Sequence, residues 1–362
     1  MSSASEPKRF LIMAGGTGGH VYPALSVASE LESRGHSVFW LGTHKGIESK
    51  LVPAAKIPLH EIQVTGIRGK GIKASLKAPL NLVRALAQSR RVIKKLSPKV
   101  VVGFGGFVAG PGGVAAKFAR IPLVVHEQNA RAGTTNKWLA RIATKVLAAF
   151  PGALKAAAVV GNPIRGELVG AEVSPSADKL KQGRLNMLVI GGSLGATFLN
   201  NTIAKALSLI DEDDRPFVKH QCGERWLDDC SNVYAAEHVD AEVLPYIEDM
   251  ANAYQWADFL VCRAGAMTVS EVAAAGVPAL FVPFPYAIDD HQTANARWLV
   301  DGGAARLVQQ SELTPERMKQ EITFLLKSGE QLGEMGFKAR ALAITNATEQ
   351  IANVCEELAN VA

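Results

Sequence analysis

The sequence predicts an α/β protein made of two doubly wound, Rossmann-like parallel sheets. Short apolar runs alternate with helical stretches from residue 10 to about 160, which is the signature of βαβ units. The opening pattern, an apolar run that breaks into glycines and restarts as a helix, returns at Met187-Leu188-Val189-Ile190 followed by Gly191-Gly192-Ser193-Leu194-Gly195-Ala196. At 362 residues the chain is also too long for one comfortable core.

In order, strands are expected at Phe10–Met13, Ser37–Leu41, Val100–Val102, Leu123–Val125 and Val146–Ala148, with a first helix from about Tyr22 to Arg34. The chain turns at Gly161-Asn162-Pro163, and residues 166–184 are polar and irregular, so a boundary is placed there, with domains 1–165 and 166–341. Strands at Met187–Ile190, Phe217–His220, Phe259–Cys262 and Ala279–Val282 build the second sheet, with a helix running to about Ile210. The last segment, about 342–362, reads as an amphipathic helix expected to cross back onto the first domain. Ligands of such folds bind outside the carboxyl ends of the strands, here in a cleft faced by both sheets.

Composition, 48% hydrophobic and 20% charged, is that of a soluble globular protein. Met1–Arg9 is polar and the apolar run after it stops at the glycines, too short for a signal peptide or a membrane span. Cys222, Cys230, Cys262 and Cys355 lack CxxC spacing and a nearby histidine cluster, so reduced buried thiols are expected rather than disulfides or zinc. Residues 1–165 carry 24 lysines and arginines against six acids, a net of +18, whereas the remainder carries 15 against 28, a net of −13. One domain therefore suits an anionic partner. No nucleic-acid module or aromatic interleaving accompanies the charge, which leaves a phospholipid surface. Leu76, Leu80, Val83 and Leu86 lie at helical spacing among Lys70, Lys73, Lys77, Arg84, Arg90, Arg91, Lys94 and Lys95. That is an interfacial stripe in a basic rim, or an ordinary amphipathic helix facing its own core.

The loop Gly15-Gly16-Thr17-Gly18-Gly19-His20 offers backbone N–H groups and a helix dipole to an anion, usually a phosphate. A dinucleotide fingerprint fails, because the sixth position from Gly16 is Val21 and the second strand ends in Gly42 where an acid should hold a ribose. Neither loop is a P-loop. His20 is either a general base beside the site or a residue that caps the loop. A third cluster, Gly103–Gly106 through Gly110–Gly113, either contacts phosphate too or serves tight turns. The acidic run Asp211–Asp214 reads as a solvated loop, and neither a metal nor a cofactor is required.

Six ordered stretches, AGGTGGHVYPAL, Gly66–Gly71, His126–Asn129, Gly161–Arg165, GGSLGA and Cys262–Glu271, resemble the bacterial MurG family, the UDP-GlcNAc transferases that complete lipid II of peptidoglycan. The resemblance implies a GT-B architecture, with acceptor and membrane served by the N-terminal domain and the donor bound mainly by the C-terminal one. It implies inverting transfer of GlcNAc to the C4 hydroxyl of the muramoyl sugar on undecaprenyl diphosphate (lipid I), by a peripheral enzyme on the cytoplasmic face of the inner membrane. Thr17, Gly18 and Gly19 resemble the family's N-terminal donor contacts, and Asn129 a sugar contact. Arg165 and Ser193 resemble its diphosphate binders, and Ile247 would meet the uracil through its backbone. The segment Ala266, Met267, Thr268, Val269, Ser270 and Glu271 resembles a donor segment whose carboxylate accepts from both ribose hydroxyls. Gln292, with His291 and Asn295 nearby, resembles the sugar-reading segment. His20 is the candidate base and Glu127 the reserve. Two other readings stay open: another GT-B enzyme such as a UDP-GlcNAc 2-epimerase, and a membrane-peripheral nucleotide-binding module.

Overall fold

The computed structural model describes residues 6–64, 71–168, 184–192 and 194–361, with residues 71–78 described as backbone only. The stretch Gly66–Lys70, most of the polar segment after residue 168, Ser193 and the Leu76 side chain lie outside that description. The chain divides into two compact units, Met1–Ile164 with Thr345–Ala362, and Arg165–Ile344.

The first unit runs β1 (Arg9–Ala14), α1 (Gly18–Ser33), β2 (Ser37–Gly42), α2 (Glu48–Ala54), β3 (Leu59–Glu61), α3 (Gly71–Leu96), β4 (Val100–Gly105), α4 (Ala109–Phe118), β5 (Leu123–Glu127), α5 (Thr134–Leu139), β6 (Lys145–Ala148) and β7 (Ala158–Val159). Its strands form one parallel sheet in the order β3-β2-β1-β4-β5-β6-β7. The second unit runs β8 (Asn186–Ile190), α6 (Thr197–Ser208), β9 (Phe217–Gln221), α7 (Leu227–Ala236), β10 (Glu242–Leu244), α8 (Met250–Trp256), β11 (Phe259–Cys262), α9 (Ala266–Ala275), β12 (Ala279–Phe281), α10 (His291–Asp301), β13 (Ala305–Leu307), α11 (Pro315–Lys327) and α12 (Gly329–Leu342). Its sheet is also parallel, in the order β10-β9-β8-β11-β12-β13. The chain ends in α13 (Ala347–Val361).

Both sheets reverse strand order next to their first strand, between β1 and β4 and between β8 and β11, which is where α/β folds bind ligands. The central strands are apolar and buried along almost their whole length, as strands covered on both faces must be. In the first unit one face packs Phe10, Val27, Leu31 and Trp40 with Ile351, Ala352 and Cys355 of α13. The other face packs Leu11, Met13, Val101 and Val125 against Ala85, Ile93, Ala115 and Leu139. The second unit has its own core around Leu199, Ile203, Phe259 and Leu280. Among the described residues no helix is long and apolar enough to cross a membrane.

Two expectations on elements change, and four short strands are additional to those expected. The first helix starts at Gly18, not Tyr22, because the amides of His20 and Val21 donate to the Thr17 carbonyl and close the first turn over Gly18 and Gly19. The final helix starts at Ala347; Leu342 instead ends α12, and extended backbone at Ala343 separates the two. The strands β3, β7, β10 and β13 span three residues or fewer, too few to show a period of two.

Candidate active site

In the first unit, β1 delivers the chain into Gly15 and Gly16 and α1 takes it up again at Gly18. Thr17 holds the extended N-cap position without a side-chain cap, and its Oγ1 lies 3.3 Å from Nδ1 of His20. The His20 ring lies over the loop after β4. A Cβ on Gly105 would come within 2.9 Å of the imidazole, and one on Gly106 would run into the Gly15 carbonyl. Both residues have positive φ, 109° and 81°. The third glycine cluster therefore lets two loops meet at the switch point and gives the histidine a floor, which accounts for Gly105 and Gly106 without a phosphate.

Next to it, β5 ends in His126 and Glu127, both buried. Glu127 accepts from the backbone N–H and side-chain amide of Asn129 (2.9 and 3.2 Å), the N–H of Gly133 (3.0 Å) and the side-chain amide of Asn136 (2.9 Å). Four donors on two oxygens leave this carboxylate a loop organiser. That weighs against Glu127 as reserve base, and it fixes Asn129. His126 donates from Nε2 to the Gly161 carbonyl (2.9 Å) and accepts at Nδ1 from Gln128 (3.2 Å). Burial pushes its pKa down to about 4, so the ring is neutral.

In the second unit the loop after β8 pairs with Gln221, the last residue of β9. The Gly192 N–H donates to Gln221 Oε1 (3.1 Å), and Nε2 returns a bond to the Gly192 carbonyl (3.0 Å). Helix α9 opens on Gly265 with no side-chain cap, so its N-terminal end presents the positive pole of the helix dipole. Glu271 sits in the second turn, 9% exposed. It accepts from the buried Tyr254 hydroxyl (3.1 Å) and lies 3.7 Å from Nε of Arg165. Burial raises the Glu271 pKa against the pull of Arg165 and Tyr254. Burial also works against the Arg165 cation, but Glu271, Tyr246 and Tyr254 outweigh it and raise its pKa. Arg263 donates to the carbonyls of Val282 (2.9 Å) and Pro283 (3.1 Å) and to Gln310 (2.6 Å), tying the loops after β11 and β12 together. Burial lowers its pKa to about 10. Gln292 accepts from the Phe284 N–H (2.9 Å), which turns its NH₂ group away from that contact.

The chain matches the glycosyltransferase family 28 N-terminal domain over residues 10–148 and the family 28 C-terminal domain over residues 186–353. It is 50% identical over 361 residues, 99% of both chains, to the UDP-N-acetylglucosamine–N-acetylmuramyl-(pentapeptide) pyrophosphoryl-undecaprenol N-acetylglucosamine transferase of Pseudomonas entomophila. It is 52% identical, over 98% of each chain, to the enzyme of the same name from Chromohalobacter salexigens. The crystal structure of Acinetobacter baumannii MurG superposes with a TM-score of 0.85 at 42% identity, over 97% of this chain and 100% of that one. The chain belongs to the MurG family. A UDP-GlcNAc 2-epimerase from Neisseria meningitidis shares the fold alone, at 12% identity and a TM-score of 0.65, over 97% of this chain and 100% of that one.

Of the residues that the MurG resemblance nominated, Arg165 and Glu271 come together directly, with Tyr246 and Tyr254 against them. Ala266, Met267, Thr268 and Ser270 line the open end and first turns of α9, whereas Val269 is fully buried and its N–H is bonded to the Gly265 carbonyl. The Val269 side chain therefore packs in the core and helps to seat the helix. Ile247 is 7% exposed, which leaves its backbone as the usable part. Asn295 is buried and donates to the Ala264 carbonyl (3.2 Å), so it braces α9 from behind. His291 is engaged through Nδ1 with the Ile288 carbonyl (2.8 Å).

On α3, Leu80 and Val83 are 73% and 64% exposed, joined by Leu82. Leu86, expected on the same face, instead packs against the core with Ala85 and Ile93 beside it, because the stripe turns inward along the helix. Among the described residues no group of three His, Cys, Asp or Glu side chains is placed to hold a metal ion. Sequence reasoning gave no role to Tyr254, Arg263, Gln221 and Glu48; Arg263 lies within the Cys262–Glu271 stretch, and the other three stand outside the quoted motifs.

Proposed function

We propose that this chain is a hexosyltransferase that moves GlcNAc from UDP-GlcNAc to the C4 hydroxyl of undecaprenyl-diphospho-MurNAc-pentapeptide, the step from lipid I to lipid II. The observation that carries the reading is the buried Glu271 carboxylate, flanked by Tyr254 and Arg165 on the second turn of α9, in a chain half identical to such transferases along its whole length. A carboxylate held there accepts from ribose hydroxyls. Arg165, the first turn of α9 and the loop Gly191–Gly195 offset charge on the diphosphate leaving group. Gln292 donates its NH₂ to the sugar, and Asn129 and the Thr17–Gly19 turn complete the donor contacts. His20 takes the proton from the acceptor hydroxyl as the anomeric bond to UDP breaks, in one in-line displacement that inverts configuration.

Leu80, Leu82 and Val83, exposed beside Arg84, supply a peripheral contact with anionic lipid on the cytoplasmic face of the inner membrane. The epimerase reading would need neither this face nor a lipid acceptor.

The test is transfer of labelled GlcNAc to a lipid-linked muramoyl acceptor, in the wild type and in His20→Ala. The wild type is expected to form the disaccharide lipid only when the acceptor is present. His20→Ala should turn over roughly a hundredfold more slowly or worse, with UDP affinity kept. Sugar released from UDP-GlcNAc without acceptor would sink the transfer reading. Parallel loss of turnover and UDP binding in the variant would return His20 to a loop-shaping role.

A further inference from the structure

The first glycine loop is wrapped around a side chain that no motif predicts. Glu48, the first residue of α2, is 0% exposed. Its Oε2 accepts from the Gly16 N–H (3.0 Å), and its Oε1 accepts from the Thr43 N–H (3.0 Å) and the Thr43 hydroxyl (2.8 Å). No ion pair to it is found among the described residues. Three glycines make room for it: a Cβ on Gly15 would come within 2.6 Å of its carboxylate, one on Gly42 within 2.9 Å of its Cγ, and one on Gly46 closer still. The glycines of this βα turn thus shape a shell around an internal anion.

A loop of this kind ordinarily turns its N–H groups to a phosphate. Here a Gly16 N–H and the turn after β2 are already bonded to a full negative charge, so an incoming phosphate meets repulsion where the motif promises attraction. The other unit solves the same position with a neutral amide, Gln221, on the Gly192 N–H. The cavity beside the first loop, about 480 Å³, is lined by Gly16, Thr43, Lys45, Glu48, Ile62 and Phe107 among others, with His44 next to Lys45; Glu48 offsets the lysine charge there.

We infer that Glu48 occupies the anion position of the first glycine loop, so that this loop binds hydroxyl-bearing, uncharged parts of a substrate rather than a phosphate, and that Glu48, by holding Gly16 next to Thr17, whose Oγ1 lies 3.3 Å from His20 Nδ1, is a positioning residue for His20. The catalytic half of this rests on the transfer reading. The occupancy of the anion position does not.

Glu48→Ala removes a group the size of acetate and leaves the three donors facing a hole. With ionic strength held constant, acetate should raise the melting temperature of Glu48→Ala saturably and leave that of the wild type unmoved. Turnover of the variant should be tenfold or more below wild type and recover with the same acetate dependence, while UDP affinity stays within twofold. Glu48→Gln keeps the size but turns an NH₂ toward a donor, so it should lose turnover without rescue by acetate. It also serves should the alanine variant fail to fold. The inference is overturned if acetate stabilises wild type and variant alike, or if Glu48→Gln turns over as the wild type does. An acetate-dependent melting shift with no transfer in any variant would uphold the occupancy and sink the transfer reading alone.

Discussion

The two units place a glycine loop at the same point, after the first strand of a parallel sheet and beside the end of the second, yet they finish it with opposite electrostatics. In the first unit the loop amide of Gly16 bonds to the carboxylate of Glu48, and in the second the loop amide of Gly192 bonds to the side-chain amide of Gln221. One loop carries its own counter-charge, whereas the side chain on the Gly192 N–H of the other is neutral. A glycine-rich turn therefore reports only that backbone comes close to something; a side chain from the next element, Glu48 at the start of α2 or Gln221 at the end of β9, decides what that something is.

Reversing the charge in the second loop should have the largest effect. Gln221→Glu puts a carboxylate near the proposed diphosphate, and at an effective dielectric near 20 two charges about 5 Å apart repel by about 3 kcal/mol. UDP affinity should fall roughly a hundredfold while uridine affinity stays close to wild type, as titration calorimetry can measure. Equal losses for both ligands would mean that the loop is merely distorted and would break the contrast.

A smaller effect should be shared by both units, which locates their difference in the loops rather than in the strands. Each sheet buries a neutral histidine: His126 at the end of β5, and His220 on β9 between the Tyr234 hydroxyl (2.8 Å) and Asn200 Oδ1 (3.1 Å). Burial lowers their pKa values to about 4 and about 3, against about 6.5 in the unfolded chain. The unfolded chain binds the extra proton first, so the stability that depends on neutrality is complete above pH 6.5. It drains as pH falls, stopping near pH 4 for His126 and near pH 3 for His220. At pH 5 both units should have lost about 2 kcal/mol relative to pH 7.5, measured by hydrogen exchange at the β5 and β9 amides. Protection that is unchanged in one unit would show that its histidine is not held neutral.

The smallest effect sharpens the donor side. Tyr254→Phe removes one hydrogen bond to Glu271 and should weaken UDP binding by about 1 kcal/mol. Because that hydroxyl helps to hold the Glu271 pKa down, the acid limb of UDP binding should move to higher pH in the variant. 2′-Deoxy-UDP should lose less than UDP does, and identical losses would make Tyr254 a packing residue only.

Strand positions, the repeated opening pattern and the central cores were legible because apolar runs such as Phe10–Met13 and Met187–Ile190 register burial locally. Arg165 and Glu271 were reachable only through family resemblance, since nothing in the spacing of residues 165 and 271 brings them together. Glu48 and Gln221 were not legible at all. Each acts on a loop amide 32 or 29 residues earlier in the chain, and side chains chosen by tertiary contact leave no periodic trace. The four donors on Glu127 were illegible for a related reason: they come from residues 129, 133 and 136, which no motif spacing ties to that carboxylate.

The return of α13 to the first unit has a consequence for biosynthesis. Ile351, Ala352, Cys355 and Ala359 fill the same core as Phe10 and Val27, and Glu356 bonds to both Arg34 and His36. As the chain leaves the ribosome, the residues that begin the first unit wait for its last eighteen, Thr345–Ala362, while everything needed by the second unit has already emerged. The usual order of domain completion during synthesis, N-terminal before C-terminal, is therefore reversed. A nascent chain stalled short of Thr345 would carry a finished second unit and an open apolar face on the first.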